Sequence, residues 1–167
     1  DRGATVTGAG RGMGEAIARK LAERGAAVVV SDIDEANAKH VAEEITKAGG
    51  KAIGIRTDVS DEEDAAKLAQ AAVDTFGQLD IHMNNAGIST TKLFTETTKA
   101  DMERIIGVNL IGAFLCAQAA VRHMLPRNYG RIINIATLSG QRGGIGRTAY
   151  GTSKAGLELM TKVMAVE

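Results

Sequence analysis

The chain has 167 residues, enough for one domain with a full core and too few for two. Lys plus Arg and Asp plus Glu number 20 each, so the formal net charge is zero, which argues against nucleic acid or an anionic membrane as the main partner. The single cysteine, Cys116, excludes an internal disulfide; with no signal peptide or membrane-length apolar run in view, the expectation is a cytoplasmic protein.

Residues 4–7 predict a short strand, and residues 12–24 a helix with Ile17 and Leu21 on one face, stopped at Gly25. Residues 26–31 contain Val28-Val29-Val30, the unbroken apolar run of a strand buried on both faces. A helix over 35–48 turns Ala38, Val41 and Ile45 inward and ends at Gly49-Gly50. Residues 51–56 form a third strand, after which Ser60 and Glu63 have capping-box spacing and open a helix that ends before Gly77. A fourth strand covers 80–84; a long helical region over 98–125, bent near Gly107, is closed by Pro126, the only proline. A fifth strand at 131–135 and a last helix at 150–166 complete the alternation. Strands separated by helices require crossover connections, so the fold class is α/β, one domain around a doubly wound parallel sheet.

Three constellations carry chemistry. Between the first strand and first helix stands Thr7-Gly8-Ala9-Gly10-Arg11-Gly12-Met13-Gly14, a turn where backbone approaches a phosphate without Cβ interference and helix N–H groups are free to bind it. An ordinary strand-to-helix turn is the alternative. Asp32, at the end of the second strand, has the placement of a carboxylate that accepts from adenosine ribose hydroxyls and repels a 2′-phosphate; it competes with Asp34 for a helix-capping role. Tyr150 and Lys154 stand four apart on one helix face. An ammonium near a phenol favours the phenolate, which tunes a tyrosine for proton exchange with an alcohol or carbonyl oxygen; a solvated helix face is the alternative.

Together, TGxxxGxG (Thr7 to Gly14), NNAG (Asn84-Asn85-Ala86-Gly87) and YxxxK (Tyr150 to Lys154) resemble the short-chain dehydrogenase/reductase family over essentially the whole chain. The resemblance implies a Rossmann fold and reversible hydride transfer between NAD, with NADP as the other possibility, and a secondary alcohol or carbonyl such as a polyol or sugar. It assigns Gly8, Gly12, Met13 and Gly14 to the cofactor turn, and Asp58, followed by Val59, to the adenine amino group. Asn85, Ala86 and Gly87 line the cofactor. Asn109 kinks its helix and holds a water of the proton relay, Tyr150 is the acid/base, and Lys154 lowers the tyrosine pKa and holds the nicotinamide ribose. A homo-oligomer paired through the helices at 109–125 and from 150 onward is implied, as are a sixth strand, a substrate loop and a seventh strand beyond position 167. On that reading the fifth strand is left as an open sheet edge.

Some positions depart from the family. The serine expected 13 residues before the tyrosine is Thr137, which keeps the hydroxyl; Ser139 takes over only if the strand runs that far, since residues two apart share a face. Arg11 resembles NADP-preferring relatives while Asp32 resembles NAD-preferring ones, and Asp32 is expected to dominate. Thr5 stands where relatives carry an apolar residue. His40, His82 and His123 lie far apart, so no metal site is predicted. Arg142 and Arg147 flank a glycine-rich loop read as solvated, with contact to a polar substrate as the alternative. The other functional readings are an NADPH-dependent 3-oxoacyl-carrier-protein reductase and a nucleotide-binding module without catalysis.

Overall fold

The five strands expected from the sequence are all present, and all lie parallel. The structure is a computed structural model that describes residues 2–167. Its strands are β1 (Arg2–Thr7), β2 (Ala26–Asp32), β3 (Lys51–Arg56), β4 (Ile81–Asn84) and β5 (Arg131–Asn134). They form one sheet in the order β3-β2-β1-β4-β5. Helices α1 (Gly12–Glu23), α2 (Glu35–Lys47), α3 (Glu62–Phe76), α4 (Lys99–Ile106) and α5 (Ala113–Met124) fill the crossovers, and α6 (Thr148–Met164) follows β5. Strand order reverses between β1 and β4, and the crevice beyond the carboxyl ends of strands at such a point is where ligands bind in open α/β sheets.

The valine run of β2 explains the two-sided core. Val28 and Val30 face α1 and α2, packing with Ala18, Val41 and Ile45. Val29 faces the other way, onto α3 and α5, with Leu68, Leu79, Cys116 and Ala120. All three valines are fully buried, and each contributes on the order of 1.5–3 kcal/mol by leaving water.

Several local expectations are corrected. The cap of α3 is Asp61, whose side chain accepts from the Asp64 N–H; Ser60 is instead captured by Asp58, whose Oδ1 takes both its N–H and its hydroxyl. Asp34 caps α2 by accepting from the Asn37 N–H, which leaves Asp32 free for another role. The helix over 98–125 does not simply bend at Gly107. It widens into a π-helical segment, Gly107–Gly112, before resuming as α5. The continuous helical run Lys99–Arg127 is long and apolar enough by composition to cross a bilayer, contrary to the reading of the sequence; Cys116, Ala117, Ala120 and Met124 on it are occupied in packing against the rest of the fold. Strand β5 pairs with β4 alone among the described residues and ends at Asn134.

Thr5 is fully buried in β1 and its hydroxyl lies 2.7 Å from His82 Nδ1 in β4. His82 Nε2 in turn lies 2.9 Å from Asn84 Oδ1. The Asn84 amide nitrogen donates to the Ala113 carbonyl and to Asn134 Oδ1, and Asn134 donates to Thr161 on α6. The assignment that satisfies every member is a neutral imidazole protonated at Nε2, with Thr5 as donor to Nδ1. A polar residue at position 5 is therefore matched by a histidine 77 residues away.

Candidate functional site

Two loops meet at the strand-order reversal. The Thr7 hydroxyl at the end of β1 accepts from the N–H groups of Asn85 and Ala86 after β4. Asn85 Nδ2 returns bonds to the carbonyls of Thr7 and Gly8. This lacing fixes the glycine turn against the NNAG loop. Gly12 adopts φ +59 with open space where a Cβ would stand, and a Cβ on Gly14 would collide with the Gly8 carbonyl oxygen. The turn is thus held tight on one side and bare of side chains on the other.

A cleft of about 690 Å³ opens there, lined by Gly8, Arg11, Gly12, Met13 and Gly14 from the turn and by Asn85, Ala86 and Gly87 from the β4 loop. Asp32, Asp58 and Val59 line its far end. Asp32 Oδ2 accepts from the Gly10 N–H at 2.9 Å and Oδ1 from the Asp34 N–H at 3.1 Å, which pins the carboxylate at the mouth of the turn. The Asp58 N–H donates to Asp64 Oδ2. Two residues of the cleft hold buried oxygens with no hydrogen-bond partner, Thr57 Oγ1 and Asn85 Oδ1. A largely apolar cleft with two unpartnered buried oxygens, a bare glycine turn and a carboxylate at one end fits a dinucleotide.

The second half of the site comes from the π-helical segment and α6. Asn109, only 1% exposed, accepts from the Ile88 N–H at 2.8 Å and donates to the Ile88 carbonyl at 2.9 Å. Its Nδ2 also reaches Ser153 Oγ at 3.0 Å, and Ser153 donates to the Tyr150 carbonyl at 2.7 Å. The extra residue per turn of the π-segment re-aims this side chain, a common use of such bulges. A Cβ on Gly87 would lie 3.3 Å from Asn109 Oδ1 and 3.8 Å from Lys154 Nζ. Gly87, Asn109 and Lys154 therefore converge at the inner end of the cleft.

Lys154 is 3% exposed. Its Nζ donates to the Ile135 carbonyl just past β5 at 2.6 Å, and burial pushes its pKa below the ordinary lysine value. Tyr150 is half-buried, with the Arg147 guanidinium 5.8 Å from its ring centre. Thr137 and Ser139 both lie past the end of β5: Thr137 is extended and caps the helical turn that holds Ser139, whose N–H points at Thr137 Oγ1 at 3.4 Å. The condition for Ser139 to share a strand face with Thr137 is not met. The glycine-rich loop is tied down at one end, where Arg147 forms a parallel bridge with Lys92.

Residues that the sequence reading missed are Ser153, Ile33 and Arg104. Ser153 stands beside Lys154 within YxxxK, a placement that hinted at a site-facing hydroxyl. Ile33 and Arg104 join the cleft; Ile33 directly follows Asp32, whereas nothing local marks Arg104.

Residues 2–167 match the family model of the short chain dehydrogenases. A cis-4-hydroxycyclohexanecarboxylate dehydrogenase of Sinomonas cyclohexanicum is 42% identical over 99% of this chain and 67% of its own length. A 3-oxoacyl-acyl-carrier-protein reductase of Aquifex aeolicus is 42% identical over 97% of the chain and 66% of its own. A crystal structure of a candidate short-chain alcohol dehydrogenase from Sinorhizobium meliloti superposes with a TM-score of 0.94 at 39% identity, covering 99% of this chain and 66% of that one. The chain spans about two thirds of the length of these relatives.

Proposed function

This chain belongs to the short chain dehydrogenase family, whose members are NAD(P)-dependent oxidoreductases of CH–OH groups, and on that premise we propose that it serves an NAD-dependent dehydrogenase of a secondary alcohol, reversible to the ketone. The observation that carries the proposal is the convergence of Gly87, Asn109 and Lys154, which joins the cleft of the glycine turn to the helix of Tyr150. The nicotinamide supplies the hydride acceptor or donor when bound.

The remaining work falls to this chain's side chains. The Tyr150 phenol exchanges a proton with the substrate oxygen, and the Lys154 ammonium, steadied by the Ile135 carbonyl, favours the phenolate electrostatically. The Thr137 hydroxyl donates to the same substrate oxygen, the polarising contact that Ser139 is poorly placed to make. Asn109, braced by Ile88 and Ser153, keeps α6 in register with the NNAG loop.

Asp32 supports NAD as the cofactor, because a pinned carboxylate where the 2′-phosphate would sit repels it. A second reading, reduction of a 3-oxoacyl thioester with NADPH, is favoured by Arg11, which lines the same cleft, and by the name of the Aquifex relative. The family resemblance also supports a homo-oligomer paired through α5 and α6 and action on a small molecule. A screen of secondary alcohols and ketones with NAD(H) and NADP(H), followed at 340 nm, tests the proposal. Turnover with NAD(H) supports it, and turnover with NADPH alone favours the second reading.

A further inference from the structure

The charge along the chain is uneven despite its zero net value. From position 104 to position 157 there is no Asp or Glu, while Arg104, Arg122, Arg127, Arg131, Arg142, Arg147 and Lys154 all fall there. Most of these cations are engaged elsewhere in the fold. Arg127 pairs with buried Asp80, Arg131 lies over the Tyr129 ring, Arg122 bonds Gln118, and Arg104 lines the cofactor cleft. Across the bridge from Arg147, Lys92 is neutralised by Asp101 at 2.7 Å. Glu158, the nearest acid in sequence, takes the Gln141 amide.

Arg142 and Arg147 are the exceptions, and of the two only Arg147 lies against the Tyr150 ring. Among the described residues it has no carboxylate partner, and its guanidinium rests only on the Tyr150 ring. Its backbone is nevertheless held firmly. The parallel bridge to Lys92 fixes it from one side, its N–H donates to the Gly144 carbonyl at 3.2 Å, and its carbonyl accepts from Gly151 at 2.6 Å. Gly146, at φ +71 with Thr91 against the place a Cβ would take, turns the chain into that position. A cation on a fixed backbone, without a counter-charge and over the ring of the acid/base residue, is preorganised for an anion.

The pocket that this side chain lines, with Ser139, Gln141, Arg142 and Thr148, is polar, but the segments that frame it expose apolar side chains. On the segments joined by the Lys92–Arg147 bridge, Phe94 is 80% and Ile145 87% exposed, and Leu93 is also exposed. Leu138, exposed as well, directly follows Thr137. Four exposed large aliphatic or aromatic side chains on the segments that frame a site mark a surface meant for an apolar ligand. They are poor company for a polyol or sugar.

We propose that Arg147 selects the substrate by taking the carboxylate of an otherwise apolar secondary alcohol or ketone whose oxygen faces Tyr150. This narrows the dehydrogenase reading above and rests on it. Arg147 is a specificity residue; the proton still moves at Tyr150.

The test uses the full chain with NAD and two probes, cis-4-hydroxycyclohexanecarboxylate and cyclohexanol. The wild type should favour the carboxylate in kcat/KM by at least about tenfold, the worth of one charge-assisted hydrogen bond. Arg147→Gln should collapse that ratio, chiefly through KM of the carboxylate, while Arg147→Lys keeps part of it. Binding is read separately by calorimetric titration of cyclohexanecarboxylate and its amide into the NADH complex. Arg147-dependent binding of the acid without turnover of either alcohol would sink the dehydrogenase reading and with it the substrate selection proposed here, leaving only a carboxylate site at Arg147. Equal kcat/KM for the two alcohols, or a ratio untouched in Arg147→Gln, would overturn the role of Arg147 while the dehydrogenase reading survives. No turnover and no binding of the acid would overturn both.

Discussion

Asn109 Nδ2 and Ser153 Oγ lie 3.0 Å apart, joining the π-helical segment to the first turns of α6. Both residues are buried, and the serine hydroxyl continues to the Tyr150 carbonyl. The bond therefore sets how α6 sits against the loop that holds Gly87. Ser153→Ala should cost about 1–3 kcal/mol in urea unfolding, because the Asn109 amide loses one buried acceptor. It should also lower kcat more than it changes NADH affinity, read by fluorescence titration. A loss of stability with kcat intact would make the bond structural only.

Asp32 is held by two backbone N–H groups and faces the cleft. Opposing it to a 2′-phosphate costs several kcal/mol, so the unaltered protein should bind NADH more tightly than NADPH by at least about tenfold. Asp32→Ser should narrow the difference. Equal or tighter NADPH binding in the unaltered protein would show that Arg11 outweighs the carboxylate.

Thr137 and Ser139 give a sharper pair. Thr137→Ala should lower kcat by roughly 10²-fold, the usual scale for one donor to a reacting oxygen, with cofactor affinity unchanged. Ser139→Ala should have a smaller effect, since Ser139 stands in a helical turn past the end of β5. Reversed effects would assign the substrate contact to Ser139.

His82 makes stability depend on pH. Burial pushes its pKa down to about 4 from 6.5, only partly offset by its bond to Asn84. Its contribution is whole above the unfolded value of 6.5 and is lost as pH falls toward 4, where the unfolded chain takes a proton that the folded one refuses. The gap corresponds to roughly 3 kcal/mol. Urea midpoints should fall between pH 7 and 4.5, and the fall should be shallower in His82→Gln. An identical slope in that variant would place the acid sensitivity elsewhere.

Cys116 is buried against α3, and desolvation pushes its thiol up to about 12. The folded protein should resist a thiol-specific disulfide reagent at pH 8 and react once per chain in guanidinium. Fast reaction of the folded form would mean that α5 opens readily.

The strands, the glycine turn and YxxxK were legible because their signals are local: period, punctuation and spacing within one element. Asn109 was legible only as part of a family pattern. What the sequence did not reveal depends on which partner each polar group takes in the fold. Thr5 looked out of place until His82, 77 residues on, supplied its partner. Ser60 looked like a cap until Asp58 was seen to hold it, leaving Asp61 to cap α3. Likewise, the loop around Arg147 read as solvated because nothing in its own composition reports the bridge to Lys92.

The central claim is that Tyr150 moves the proton while a hydride passes between the substrate carbon and a nicotinamide. The most direct measurement is transfer of deuterium from a secondary alcohol labelled at the carbinol carbon to NAD, compared between the full chain and Tyr150→Phe. The account predicts labelled NADH from the unaltered protein. Tyr150→Phe should lose turnover by at least about 10²-fold, the lower end of what a general acid/base contributes, while still binding NADH. Label transfer that persists at the same rate in Tyr150→Phe would contradict it.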